Sequence, residues 1–332
     1  MSNDKHTPPG NGKPGPSTTP DVLAGRGRRT VHLGDLLFGG SARASSLIIV
    51  VVVLVIGAFL LGNAWQPLLD NTANFFTSTA FDSSSRPPHF GVAALLWTTV
   101  LSSLIALLIA VPVAVGIALL LTQYVGGRFS RWIGFVIDLL AAVPSVIFGL
   151  WGIKVLGPAL QPVAHWMQAH LGWFPLFGST QVTSPGTVFT ASLVLALMIL
   201  PIITAVTRDV FAQTPREQIE AALALGATRW EVIRMAVLPY GRSGATAAAM
   251  LGLGRALGET IAVMLILSAS SFDASVFSGG ETFASVIARN AAEFDTTYKA
   301  GIYISAGLVL FVLTFAVNAL ARIIAERGKA KS

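Results

Sequence analysis

Long apolar runs separated by short polar stretches set the pattern of this chain. Leu47 to Gly62, extended by Ala44 and Ala64, has the length of about 20 residues that one helical bilayer crossing needs. Gly91 to Leu121 exceeds one perpendicular crossing, so the pattern predicts a helix that tilts, or bends at Pro112. Further spans are expected at Trp132 to Leu156, which carries Pro144, at Thr187 to Val206 with Pro201, at Gly244 to Ala269 and at Ala300 to Ile324. Six transmembrane helices and no strand pattern describe an all-α integral membrane protein with both termini on one side. Residues 1–43, rich in Pro, Gly, Thr and charge, have no apolar period and read as a disordered basic tail. They lack the short apolar core and small-residue cleavage site of a secretory signal. Between Gly157 and Gly186, the stretch Ala159 to Leu171 suits an interfacial helix, with Trp166, Trp173, Phe174 and Phe177 at headgroup depth. Glu281 to Phe294 is expected to form a helix in the loop from Ser270 to Lys299.

The most organised polar segment runs from Thr214 to Pro239 and reads as two short helices joined at Gly226. Thr214 and Glu217 have the spacing of a capping box, with Pro215 at the first helical position. Gly226 supplies the left-handed residue that ends the first helix. Thr228 and Glu231 repeat the box for the second, which Pro239 is expected to terminate. Ile219, Ala222 and Leu223 make a small apolar face suited to a groove on another protein.

Composition agrees with a bilayer protein: 53% of residues are hydrophobic and 11% charged, with mean hydropathy +0.70, against about 25% charged in soluble domains. Cysteine is absent, which removes disulfides, thiolate metal sites and a cysteine nucleophile. The net charge of +6 becomes informative only once the spans are drawn. With the N-terminus in the cytoplasm, 17 of the 22 Lys and Arg residues fall on that side, against Arg86, Lys154, Arg289 and Lys299 outside, with Arg255 inside a span. The basic charge therefore orients the chain in the membrane and is no sign of nucleic-acid binding.

Arg255 and Glu259 stand four residues apart in Leu251-Gly-Leu-Gly-Arg-Ala-Leu-Gly-Glu-Thr260. Each charge at the bilayer centre costs on the order of 2.5–3.5 kcal/mol. On a continuous helix the spacing puts both on one face, where a mutual salt bridge is one reading. That reading leaves the charges themselves unexplained, because apolar residues would be less costly. A function needing charge at depth accounts for them, and a guanidinium suits a tetrahedral oxyanion. Gly254 and Gly258 form a G-x-x-x-G that permits close approach of another helix, from the same chain or a partner. Asp138 reads as a carboxylate bonded to a neighbour, and His165 and His170 as interfacial residues off metal-site spacing.

Glu220-Ala221-Ala222, then Gly226 and Leu238-Pro239, resemble the EAA loop of the binding-protein-dependent ABC importer permeases. Ala236 stands where the family usually has Ile. The run LGLGRALGET resembles the phosphate-specific, PstC-type members. The resemblance spans roughly Val92 to Arg322, inside a permease domain of residues 91–324. It implies the type I ABC importer permease fold in a bacterial inner membrane, with the loop of residues 214–239 as the cytoplasmic element that couples to an ATPase through Glu220, Ala221, Ala222 and Gly226. It implies Arg255 and Glu259 on the phosphate pathway, and partners: a homologous permease (PstA-like), ATPase subunits (PstB-like) and an extracytoplasmic phosphate-binding protein (PstS-like), received on Gly157–Gly186 and Ser270–Lys299.

No G-x-x-x-x-G-K-[ST] occurs, so ATP hydrolysis belongs to a separate chain. No nucleophile-base or metal constellation can be assembled, so the chain is expected to be no enzyme and to carry no cofactor. Two alternatives stay open: the same permease for another oxyanion such as sulfate or molybdate, and an ion-coupled secondary transporter using Arg255 and Glu259 as a proton relay.

Overall fold

A computed structural model describes residues 33–83, 87–178 and 184–329, with side chains described from 40 to 323 within those ranges. The chain divides into two units at Val53 and Leu54. The first holds the N-terminal half of α1 (Leu33–Asp70), where every described side chain is exposed. Most of the expected disordered tail lies outside the described residues, but from Leu33 the chain is already helical. Helix propagation from the apolar run costs little once a nucleus exists, so α1 begins ahead of that run and continues past Gly62.

The second unit contains the rest of α1 and a helical core. A two-residue hairpin, β1 (Phe81–Asp82) and β2 (His89–Phe90), precedes α2 (Ala93–Leu119), which continues through a π turn, Leu120–Tyr124. Pro112 sits inside α2 without ending it. The fully buried Ala106, Ala110, Ala114 and Ala118 recur every four residues, a small-residue seam that lets α6 (Val188–Ala212) pack closely. Close approach of this kind is what joins helices in lipid, where no hydrophobic drive operates between them. Several buried hydroxyls are satisfied on their own helices: Thr99 donates to the Leu95 carbonyl at 2.7 Å and Ser192 to Val188 at 2.7 Å, whereas the Ser103 and Thr207 hydroxyls have no partner among the described residues.

The expected third span is interrupted. An amphipathic helix, α3 (Gly127–Ala141), ends before Pro144, which disfavours helix in the residue ahead of it. Then α4 (Ser145–Trp151), a π turn (Gly152–Leu156) and α5 (Gly157–Leu171) form one unbroken helix. The segment expected as a separate interfacial helix from Ala159 is therefore continuous with the preceding one. The π turn lies just before Pro158, and its wider turn accommodates the ring that would otherwise clash with the carbonyl four residues back.

After the polar helices α7 (Arg216–Ala224) and α8 (Arg229–Val232) come α9 (Leu238–Leu257), α10 (Ile261–Ile266), α11 (Phe283–Arg289) and α12 (Thr297–Lys329). The helix expected over Glu281–Phe294 is shorter, held at its start by a Thr282–Ser285 capping box. Among the described residues five helical stretches are long and apolar enough to cross a membrane: Gly40–Asp70, Ala93–Tyr124, Ser145–Leu171, Val188–Ala212 and Thr297–Ile323. The span expected at Gly244–Ala269 is broken into α9 and α10.

Candidate functional site

Two constellations stand out, and one helix connects them. In the polar loop, the first expected capping box does not form. Thr214 is buried and its hydroxyl donates back to the Phe211 carbonyl at 2.9 Å, so it is unavailable to α7, which starts after Pro215 without a side-chain cap. Glu217 remains in the first turn, where the helix dipole favours a carboxylate. Gly226, at φ +82°, ends α7 as expected. Its N–H bonds the Leu223 carbonyl at 2.9 Å and the Ala227 N–H bonds Ala222 at 3.1 Å, the pattern of a Schellman motif.

The second box is complete: the Thr228 N–H bonds a Glu231 carboxylate oxygen at 2.7 Å, and the Glu231 N–H bonds the Thr228 hydroxyl at 3.4 Å. These bonds from Thr228 hold the Glu231 carboxyl below its ordinary pKa. Glu220 and Ala221 are exposed and Ala222 half-buried. A cleft of about 610 Å³ opens between α7 and α8, lined by Ala221, Ala222, Gly226, Glu231 and Met235. No residue of α7 is buried, Leu225 is 90% exposed and Trp230 58%, so this is an unpartnered surface within the chain.

Pro239 does not terminate the second helix. A π turn, Ile233–Val237, absorbs the proline, and the helix runs unbroken from Arg229 to Leu257. Gly241, Gly244 and Gly252 pack it against α6: a Cβ on Gly252 would lie 2.7 Å from Ile203 Cδ1, and one on Gly244 2.5 Å from Val210. Gly254 and Gly258 face elsewhere. A Cβ on Gly254 would meet nothing within 4 Å, and one on Gly258 only the Gly254 carbonyl at 3.5 Å. The G-x-x-x-G therefore makes no close helix contact inside this chain.

At Gly258 the helix stops. Glu259 lies beyond that end, and its carboxylate accepts from the Ala262 N–H at 3.2 Å, supplying one of the partners that the start of α10 requires. The four-residue spacing to Arg255 thus spans a break, the geometry that pairs i and i+4 is lost, and no ion pair joins Arg255 to Glu259 among the described residues. Arg255 is exposed and lines a groove of about 510 Å³ between Ile202 of α6, Met250 and Gly254 of α9, and Asn318 of α12.

α10 is also held at its far end. The Arg289 guanidinium donates to the carbonyls of Met264 (3.2 Å) and Leu267 (2.9 Å), while its Nε pairs with Glu281 at 2.9 Å. Burial pushes the Glu281 carboxyl up, and the Arg289 charge opposes that shift. The sequence reading missed both Glu281–Arg289 and Asn318; the signal for Asn318 was a carboxamide inside an apolar run. Asp138 sits 3.9 Å from Arg208, the neighbour contact expected for it, and His170 stacks on Trp166.

The family described as binding-protein-dependent transport system inner membrane component matches residues 110–329. A Mycobacterium tuberculosis protein named phosphate transport system permease protein PstC 2 is 56% identical over 315 residues, 93% of this chain and 97% of its own. A Mesorhizobium japonicum protein named phosphate transport system permease protein PstC is 36% identical, covering 92% of this chain and 94% of its own. Among solved structures, a bacterial ABC transporter involved in import of the acidic polysaccharide alginate superposes with a TM-score of 0.52 at 17% identity, over 88% of this chain and 98% of its own, a likeness of fold. With the family match covering most of the chain, this multi-pass membrane protein belongs to the binding-protein-dependent inner-membrane permeases of ABC importers.

Proposed function

We propose that this chain is a phosphate-translocating permease subunit in a bacterial inner membrane, paired with a homologous PstA-like permease. PstB-like ATPases drive it and a PstS-like binding protein loads it. The observation that carries the reading is the near-full-length identity of 56% to proteins named as phosphate permeases. An exposed Arg255, with no ion pair among the described residues, lining a groove inside an otherwise apolar bundle supports it. Counting α9 with α10 as one crossing gives six, with both termini cytoplasmic and the basic loop of residues 214–239 on the ATP side. The exposed Glu220–Ala221–Ala222 surface and its cleft dock an ATPase. Gly254 and Gly258 present a surface free of side chains to the homologous permease.

Arg255 meets the oxyanion, and its bidentate fork fixes the anion's orientation. For Glu259, whose carboxylate accepts the Ala262 N–H through one oxygen, to hold Arg255 when the path is empty, the two residues must be brought together across the break, so exchange of partners is tied to a change there. Radiolabelled phosphate uptake by the assembled importer carrying Arg255→Gln tests the reading, with membrane insertion and ATPase association measured alongside. Lost uptake with assembly intact supports it, and unchanged uptake removes Arg255 from the path. Competition by sulfate or molybdate against the unaltered importer tests the substrate itself.

A further inference from the structure

The inner half of α12 holds a polar residue without a hydrogen-bond partner among the described residues. Its apolar stretch, Thr297–Ile323, contains three uncharged polar side chains beyond its first two turns: Ser305, Thr314 and Asn318. Ser305 donates to the Ile302 carbonyl at 2.6 Å and Thr314 to Phe311 at 2.9 Å, so both are absorbed by their own helix. A carboxamide on a helix can do the same, and Asn63 and Asn290 do, each donating to the carbonyl four residues back at 2.8 Å. Asn318 does not. Among the described residues its side chain has no hydrogen-bond partner, although it carries two donors and an acceptor.

Asn318 instead lines the same groove as Arg255, and these two are the polar residues of a lining otherwise made of Ile202, Ala247, Met250, Leu251 and Gly254. Arg255 likewise has no ion pair among the described residues. Both are exposed on the open groove of the chain by itself, and within a bilayer two such donors, one charged and one neutral, are costly unless something polar meets them. Arg322 follows one turn later on the same face of α12 and is exposed.

We infer that Asn318 is a second anion-binding residue of the translocation path, donating its amide N–H to an oxyanion oxygen after the anion leaves Arg255 for the cytoplasm. The inference rests on the transport reading above. A neutral donor at this point suits passage: it accepts the anion without holding it as tightly as a second guanidinium would.

The test measures uptake of radiolabelled inorganic phosphate by the full importer carrying Asn318→Leu, Asn318→Asp or Asn318→Gln, with membrane level and co-purification of the homologous permease followed in each. A lost hydrogen bond to a charged group predicts that Asn318→Leu raises the KM for transport by about tenfold or more. Asn318→Asp, which places a carboxylate against the anion, loses more, and Asn318→Gln, which keeps the donor, loses least. Uptake unchanged in both Asn318→Leu and Asn318→Asp overturns the inference. So does a loss that tracks loss of the homologous permease from the purified assembly, because the amide then serves an interhelical bond. The control separates this from the function itself: if the unaltered importer carries sulfate or molybdate in place of phosphate, the substrate reading falls, and the same three variants assayed with that anion still decide the role of Asn318.

Discussion

Gly149 sits where α4 crosses α10, and its substitution tests whether the helix break is held rigidly. A Cβ at Gly149 would lie 2.8 Å from Ala262 Cα, 3.1 Å from Leu265 Cδ1 and 3.2 Å from the Ala262 carbonyl. Ordinary carbon contacts are about 3.5–4.0 Å, so Gly149→Ala forces the two helices about 0.7–1.2 Å apart. The nearest atom belongs to the backbone and cannot rotate away, so the cost falls in the overpacking range of about 1–3 kcal/mol. Ala262 also donates the N–H that Glu259 accepts, so the displacement strains the cap that starts α10. The expected result is a lower melting temperature of the purified importer together with reduced phosphate uptake. Gly254→Ala is the counter-experiment, since its Cβ meets nothing within 4 Å. It should leave the chain's own membrane level unchanged while weakening co-purification of the homologous permease. If Gly149→Ala melts and transports as the unaltered importer does, the α4–α10 crossing is not tight and the reasoning about α10 fails.

Thr228→Ala removes the hydroxyl side of the capping box, leaves the backbone N–H that Glu231 accepts, and should cost about 1 kcal/mol of local helix stability, read as weaker ATPase co-purification. The box should also weaken in acid. Because the folded state holds Glu231 below its ordinary pKa, that stabilisation is full above the ordinary value and is lost as pH falls through the lowered one, a slope that Thr228→Ala makes shallower and Glu231→Gln abolishes. Glu281 has the opposite sign. Its pKa is raised in the folded state, so stability falls as pH rises from the ordinary carboxylate value through the raised one, and Glu281→Gln should flatten that part of a melting-temperature profile.

Hydropathy located the long helices well because length and apolarity are local properties: α2 and α6 begin within two residues of where the apolar runs do. Continuity was harder. Pro239 was expected to end its helix and Ala159–Leu171 to stand as a separate one, yet a π turn precedes Pro158 and Pro239 and each helix carries on, an adjustment that depends on what packs around the turn and leaves no local pattern. The pairing of Arg255 with Glu259 presumed an unbroken helix, and the break at Gly258 decides otherwise. Thr214 and Thr228 carry the same box motif, and only burial separates them: the Thr214 hydroxyl is turned inward onto Phe211, while Thr228 is exposed and free to cap. Asn318 was overlooked because averaging over a window hides a single carboxamide among apolar neighbours. Its importance follows from the groove, which is assembled from three helices far apart in sequence.

On the proposed function, the unbroken helix from Arg229 to Leu257 is the importer's lever. Its 29 residues span about 43 Å at 1.5 Å per residue, with the capping box of the docking loop at one end and Arg255 within the last turn of the other. Displacement of α8 by an ATPase is therefore delivered to Arg255 through backbone hydrogen bonds, without a chain of side-chain contacts in between. What the lever moves against is α10, which has its own start at Glu259, its crossing with Gly149 and its end tied by Arg289. On the proposed function, the break at Gly258–Thr260 is then the joint between a moving helix and a fixed one, and it lies one turn from Arg255. Thr228→Ala and Arg255→Gln consequently fail at opposite ends of one element. The first should lower uptake in proportion to lost ATPase association, and the second should abolish uptake with that association intact. If Arg255→Gln lost the ATPase as readily as Thr228→Ala, the helix would be a passive strut whose folding both residues support, and the lever would have to be sought elsewhere.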